Sequence, residues 1–179
     1  TVIPNTVTSI ADAAFAGHVN LTAIAIPSNI THIELGAFVY CLNLTSIVVD
    51  DKNQVYDSRN NCNAIIETAT NTLIEGCNNT IIPNTITSIG ESAFAGRQTL
   101  TSISIPNGVV SIGASAFYFC RALTSVSIPS SVQNIGNSAF IMCTALTSVT
   151  CEATTPPLLE WGVFDYIPFA EATLYVPAE

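Results

Sequence analysis

The chain repeats itself with a period of about 23 residues, and this constrains its fold more than any other feature. Phe15, Phe38, Phe94, Phe117 and Phe140 each follow an alanine, and Pro4, Pro27, Pro83, Pro106 and Pro129 each follow an isoleucine. Leu21, Leu44, Leu100, Leu123 and Leu146 keep the same order, as do Ile10, Ile33, Ile89, Ile112 and Ile135. The clearest unit is LTSISIPNGVVSIGASAFYFCRA, from Leu100 to Ala122. Its L-x-x-I-x-I-P stretch is β-branched and alternating, which predicts a strand of about five residues. Proline closes it by fixing φ and removing a ladder donor. A second apolar pair follows, Val109 and Ile112 in this unit, and then Ala-Phe. One unit cannot bury all these faces alone, so units must stack, with strands in parallel register about 4.8 Å apart.

Two coils depart from the period. The proline slot falls on Asp50, and the next proline of the series is Pro83, so coil 50–82 carries about ten residues more than a regular unit. Near the end the slot falls on Glu152 and is next filled by Pro177, giving a degenerate coil 152–177. The whole span 1–179 reads as a single domain of about seven coils.

The pattern L-x-x-I-x-I-P-x-x-V-x-x-I-G-x-x-A-F-x-x-C resembles the BspA-like leucine-rich repeats of bacterial surface proteins. The segment VYDSRNNCNAIIETATNTLIEGCNNTIIPNTITSIG and the ending ATTPPLL…ATLYVPA are similar to bacterial members as well. The resemblance implies a mainly β repeat solenoid, a right-handed leucine-rich-repeat superhelix. A curved parallel β-sheet would form one face, with irregular or 3₁₀ elements on the other. It also implies display at the cell surface or secretion, and adhesion to host or bacterial proteins. The chain starts inside a unit and stops just after a proline slot, with neither end capped, so an excised piece of a longer surface protein is expected.

Charge narrows the partners. Thirteen acidic and four basic residues give a net charge of −9, and only 9% of residues are charged where about 25% is usual. Nothing here could neutralise a run of phosphates, which excludes nucleic acid and disfavours an anionic membrane surface. No apolar run approaches the roughly 18–20 residues of a membrane-spanning helix, so no membrane insertion of this segment is expected.

Candidate chemistry is sparse. Cys41, Cys120 and Cys143 share one slot, three residues after the repeat phenylalanine, and read as small buried hydrophobes. Cys151 takes an inward strand slot. Between Cys62 and Cys77 lies NAIIETATNTLIEG, which reads as a hairpin turning at residues 68–71. If Glu67 faces Thr72, Cys62 falls opposite Cys77, and a disulfide would staple the enlarged coil. Against that, Cys77 fills the leucine slot one period before Leu100. His18 and His32 occupy ordinary repeat slots, Asp50-Asp51 is the only adjacent carboxylate pair, and no nucleophile motif or phosphate loop is present. No catalysis, cofactor or metal is expected.

Two surfaces remain. On the sheet face, Thr101, Ser104, Thr124, Ser127 and Thr147 point outward; they either bind a ligand or simply suit a strand. The aromatic stretch WGVFDYIPF, with Trp161 and Tyr166, either binds or serves as core or end plug of the stack, and core or plug is the expected role. The expected function is a non-enzymatic extracellular adhesion or protein-binding module, with a host matrix or other cell-surface protein as ligand. The alternative is a passive spacer that presents other domains.

Overall fold

The computed structural model describes residues 2–168 and the backbone of Thr173–Tyr175. Phe169 of the aromatic stretch and the Pro177 slot lie outside the described residues. The chain is a β-solenoid of about seven turns, almost without helix. Its L-x-x-I-x-I-P stretches form parallel ladders offset by one period, Ala23–Ile26 on Ser46–Val49 and Ser125–Ile128 on Ser148–Cys151. Thr173–Tyr175 adds to the latter with a slightly larger offset, absorbing the extra residues of the degenerate coil. Alternation sends every second side chain inward, so Ile24, Ile26, Val126 and Ile128 are buried and their neighbours exposed.

This principal sheet is in two pieces. Thr101 to Pro106 forms no strand, and the enlarged coil before it runs irregularly over residues 77–83. The opposite side is more regular than expected. A second set of short parallel strands runs through the Ser-Ile slots: Ser9–Ile10 pairs His32–Ile33, and Ser88–Ile89, Ser111–Ile112, Asn134–Ile135 and Leu158–Leu159 follow one another in a seven-stranded sheet. Among the described residues a 3₁₀ element occurs at Arg59–Asn61, within the enlarged coil.

The phenylalanine column forms the spine. Phe38, Phe94, Phe117 and Phe140 have no solvent exposure, and successive rings stack 5.0–5.4 Å apart from Phe94 through Phe164. Phe15 stacks on Phe38 at 5.1 Å but is only half-buried. Each coil turns at two left-handed corners, one on either side of the phenylalanine. The first falls at Ala13, Gly36, Ser92, Ser115, Ser138 and Gly162 (φ +53° to +71°). The second falls at Gly17, Tyr40, Gly96, Phe119, Met142 and Tyr166 (φ +58° to +75°).

The enlarged coil carries the predicted hairpin, Ala64–Glu67 against Thr72–Gly76, with Glu67 facing Thr72. It does not protrude. Thr72 and Leu73 pair in parallel with Ser88 and Ile89, and Tyr56–Asp57 closes the far edge, so the hairpin is woven into the second sheet. Ile65, Ile66 and Leu73 are fully buried. The core divides here, into one cluster from Ile3 to Cys77 and another from Cys62 to Ile167.

Candidate functional site

On the principal sheet, Thr101, Ser104, Thr124 and Ser127 are exposed, and Thr147 is half-buried. The threonine column is partly committed to the stack. Thr45 Oγ1 donates to Thr22 O at 3.3 Å and Thr124 Oγ1 to Thr101 O at 3.5 Å, each capping the coil before it. Ser127 Oγ donates to the Glu152 carboxylate at 2.6 Å. These contacts explain hydroxyl side chains without invoking a ligand.

The aromatic stretch divides by the repeat. Val163 and Phe164 fill the Ala-Phe slots, with Val163 and Ile167 buried and Phe164 stacked on Phe140. Trp161 and Tyr166 are 76% and 67% exposed. A core role therefore does not hold for these two, though it holds for Val163, Phe164 and Ile167. Tyr166 sits at the second corner and Trp161 immediately before the first, at Gly162, and neither side chain enters the core. Tyr166 borders a shallow cleft with Arg121, Met142, Thr144, Ile167 and Pro168.

That cleft ends a strip along the second corner. Half-buried Tyr40 meets Tyr118 and Phe119 edge-on, with ring centroids 6.4 and 6.0 Å apart. Gly96 lies beneath Tyr40, and a Cβ there would run into the ring and backbone of Tyr40. Burial, helped by the neighbouring Tyr118 hydroxyl, pushes the Tyr40 phenol up to about 12. The Arg121 guanidinium lies 4.0 Å over the Phe119 ring, a cation–π contact. A side chain in the left-handed region costs roughly 1–2 kcal/mol per residue, and Tyr40, Phe119, Met142 and Tyr166 all carry it.

The cysteines are core donors rather than a staple. All six are buried free thiols. Cys41, Cys120 and Cys143 donate to the carbonyls of Phe15, Phe94 and Phe117, at 2.9, 3.2 and 3.2 Å, each in the coil before. Cys62 and Cys77 do not face each other as the simple register required. A bulge between Ile65 and Ile66 shifts the pairing by one residue and flips the faces, so Cys62 joins one core cluster and Cys77 the other. Cys77 instead meets Asn63 O and Thr80. Burial pushes the Cys62 thiol up to about 11 and Cys143 to about 12. None of these thiols is poised as a nucleophile.

One arrangement was missed in the sequence. Gly76 takes the phenylalanine's place in the enlarged coil: its N–H donates to Ala93 O at 2.7 Å, as Phe94 N–H does to Ala116 O. The Ala-Phe pair is thus replaced by Glu75-Gly76, and a Cβ at Gly76 would collide with the Phe94 ring. Arg97, one period before Cys120, occupies the cysteine slot and is wholly buried. Its Nε donates to Gly76 O at 2.9 Å, the bond a thiol makes elsewhere, and Nη1 reaches Phe38 O at 3.1 Å. Nη2 pairs with the Glu75 carboxylate. Burial pushes the Glu75 carboxyl up to about 8, against the pull of Arg97. The signal lay in an arginine standing where the repeat places cysteine.

The remaining titratable groups do not converge. His18 contacts Ala16 O of its own turn, and His32 meets exposed Glu34 at 2.9 Å. Asp50 Oδ1 accepts from Lys52 N–H at 2.9 Å, a turn contact. Among the described residues no three His, Cys, Asp or Glu side chains group as metal ligands would, and no helix is long and apolar enough to cross a membrane.

The profile described as BspA type leucine rich repeat region matches in six copies over residues 1–75 and 70–164. A leucine-rich repeat protein from Eubacterium ventriosum is 28% identical over 74% of this chain and 37% of its own, with a TM-score of 0.65. A leucine rich cell surface protein from Faecalibacterium prausnitzii is 25% identical over 98% of this chain and 53% of its own, with a TM-score of 0.67. The pneumococcal vaccine antigen PcpA shares the fold at 18% identity and a TM-score of 0.57, over 88% of this chain and 46% of its own. The chain thus spans between a third and about half the length of these solved structures. No curated protein matches it in sequence.

Proposed function

The chain belongs to the BspA type leucine-rich-repeat family, and we propose that it is a non-enzymatic adhesion module. It acts at the cell surface or after secretion, on an extracellular protein such as a host matrix component or another surface protein. The observation that carries this reading is the placement of Trp161, Tyr166 and the half-exposed Tyr40 and Phe119 outside the core. A stack built only for length has no use for exposed aromatic side chains at and beside its corners, whereas tyrosine and tryptophan are the side chains that anchor interfaces. A solved relative described as a cell surface protein is consistent with the location. The residues considered in the sequence, Thr101, Ser104, Thr124, Ser127, Thr147, Trp161 and Tyr166, remain the candidates for contact.

A passive spacer is the second reading, favoured by the threonine hydroxyls that turn back to cap the preceding coil. Binding of the immobilised chain to a panel of purified matrix and serum proteins separates the two. Adhesion predicts at least one partner with a micromolar or tighter Kd, changing less than about threefold between low and high salt, because few charges are present to screen. A T101R/T124R variant tests the sheet face: a tenfold loss places contact there, and an unchanged Kd excludes it. No binding to any protein in the panel sinks the adhesion reading and leaves the spacer.

A further inference from the structure

The two left-handed corners of each coil carry very different side chains. At the first, the chain uses only alanine, glycine and serine, the small residues expected where backbone geometry is the sole demand. At the second, glycine appears at Gly17 and Gly96, yet Tyr40, Phe119, Met142 and Tyr166 occupy the same strained backbone. Glycine would relieve the strain there, and none of the four side chains is fully buried to offset it. Large side chains held in strained backbone at the surface mark functional positions more often than structural ones. These four form one strip with Tyr118 and Arg121, and Tyr40 bridges the enlarged coil by lying across Gly96.

The chemistry of the strip selects its occupant. Tyrosine, phenylalanine, methionine and arginine are enriched at the cores of protein interfaces. A sugar would need open, flat ring faces, but Arg121 covers the face of Phe119 and the Tyr40 contacts are edge-on at 75° and 84°. Of the four basic side chains, Arg59 pairs with Asp57 and Arg97 with Glu75. Arg121 and Lys52 are exposed without a carboxylate partner among the described residues. Lying over the Phe119 ring, the exposed guanidinium remains available to a carboxylate. The cleft beside it, floored by Met142, Ile167 and Tyr166, suits one apolar side chain.

We propose that the strip Tyr40–Tyr118–Phe119–Arg121–Met142–Tyr166 docks an extended peptide segment of a partner protein, in which a carboxylate stands beside an apolar anchor. The carboxylate pairs with Arg121, the one charged contact of the strip, while the anchor enters the Met142–Tyr166 cleft and carries the salt-insensitive share of the affinity. This deepens the adhesion reading and rests on it.

A phage-displayed random dodecapeptide library selected on the chain supplies the probe. Selected peptides should carry Asp or Glu close in sequence to Phe, Trp or Leu. Synthetic copies should lose at least tenfold in Kd against Arg121→Glu and against Tyr166→Ala, with Arg121→Lys intermediate and T101R/T124R unchanged. Circular dichroism of each variant checks that these surface changes leave the fold intact. The proposal is overturned if no peptide is selected, if the selected peptides lack the acidic–apolar signature, or if the strip variants bind them normally. It is also overturned if a glycan array, rather than peptide, is what the strip variants lose. Matrix binding that survives those outcomes but is lost in T101R/T124R would keep the adhesion reading and move its site to the sheet.

Discussion

Cys120 and Arg97 stand one period apart in the same slot, and each donates to a main-chain carbonyl of the coil before it. The slot therefore selects for a compact donor in an apolar wall, which is why cysteine recurs there without oxidation or metal. Arginine meets the same need over a longer reach, because the enlarged coil sets Gly76 and Glu75 where Ala-Phe would stand. Replacing Arg97 by Met should cost about 3–5 kcal/mol, since it strands a buried carboxyl; chemical denaturation measures it, and a loss under about 1 kcal/mol would show that the pair is not holding the seam. Phe117→Ala should cost a similar amount, about 3–5 kcal/mol, through the cavity left in the ring stack. The Glu75 carboxyl adds a pH signature. Its folded value is raised to about 8 by burial, above the ordinary 4.5, so its stabilisation is complete below 4.5 and is lost as pH rises through 8. The stability difference between the wild type and Glu75→Gln should shrink across that window and flatten above it; a pH-independent difference would refute the assignment. The column of cysteines was legible from the period alone. Its hydrogen bonds were not, because they depend on how far one coil slides along the next.

At the scale of elements, the hairpin shows where pattern reading stops. Alternation and the 68–71 turn located both strands and paired Glu67 with Thr72 correctly. A single bulge between Ile65 and Ile66 then exchanged the faces of everything beyond it. Nothing in TLIEG marks that bulge, whose extra residue is Ile74, because a short run suited throughout to a strand carries no phase. The hairpin packs on both sides, serving one core cluster through Ile65 and the other through Ile66 and Ala64. The second parallel sheet was likewise visible only as an apolar pair, since such short strands cannot show a period. The thiols report on the bulge directly. Non-reducing titration in denaturant should find six free thiols, and native protein at pH 8 should react slowly at all of them. Four thiols, with Cys62 and Cys77 protected, would restore the staple and contradict the register. Gly76→Ala tests the same coil from the other side. Its Cβ meets the Phe94 ring, so a loss of about 1–3 kcal/mol is expected from overpacking.

Across the whole molecule, a solenoid holds together by nearest-neighbour interfaces, so its weakest seam decides how it opens. The structure places that seam at the enlarged coil. The phenylalanine stack is broken between Phe38 and Phe94, the principal sheet is interrupted, and the core divides into two clusters. What crosses the seam is mostly polar: the Arg97 fork, the Tyr40 N–H to Ala95 O bond at 3.3 Å, and Asn78 Nδ2 to Leu42 O at 2.8 Å. The first cluster is the smaller, and Phe15 at its far end is only half-buried. In this chain the coils around Ala23–Ile26 and Ser46–Val49 should therefore open before those around Ser125–Ile128 and Ser148–Cys151. Native-state hydrogen exchange should give the first pair of strands lower opening free energies than the second. Arg97→Met should widen that gap by acting on the first pair almost alone, because a broken seam uncouples the halves without touching the Phe94–Phe164 stack. Trp161, the single tryptophan, lies beyond the seam, so its fluorescence midpoint should stay near that of the wild type while circular dichroism begins its transition earlier. Uniform protection in the wild type, or coincident midpoints in Arg97→Met, would mean that the stack transmits stability through the enlarged coil as well as through any regular one.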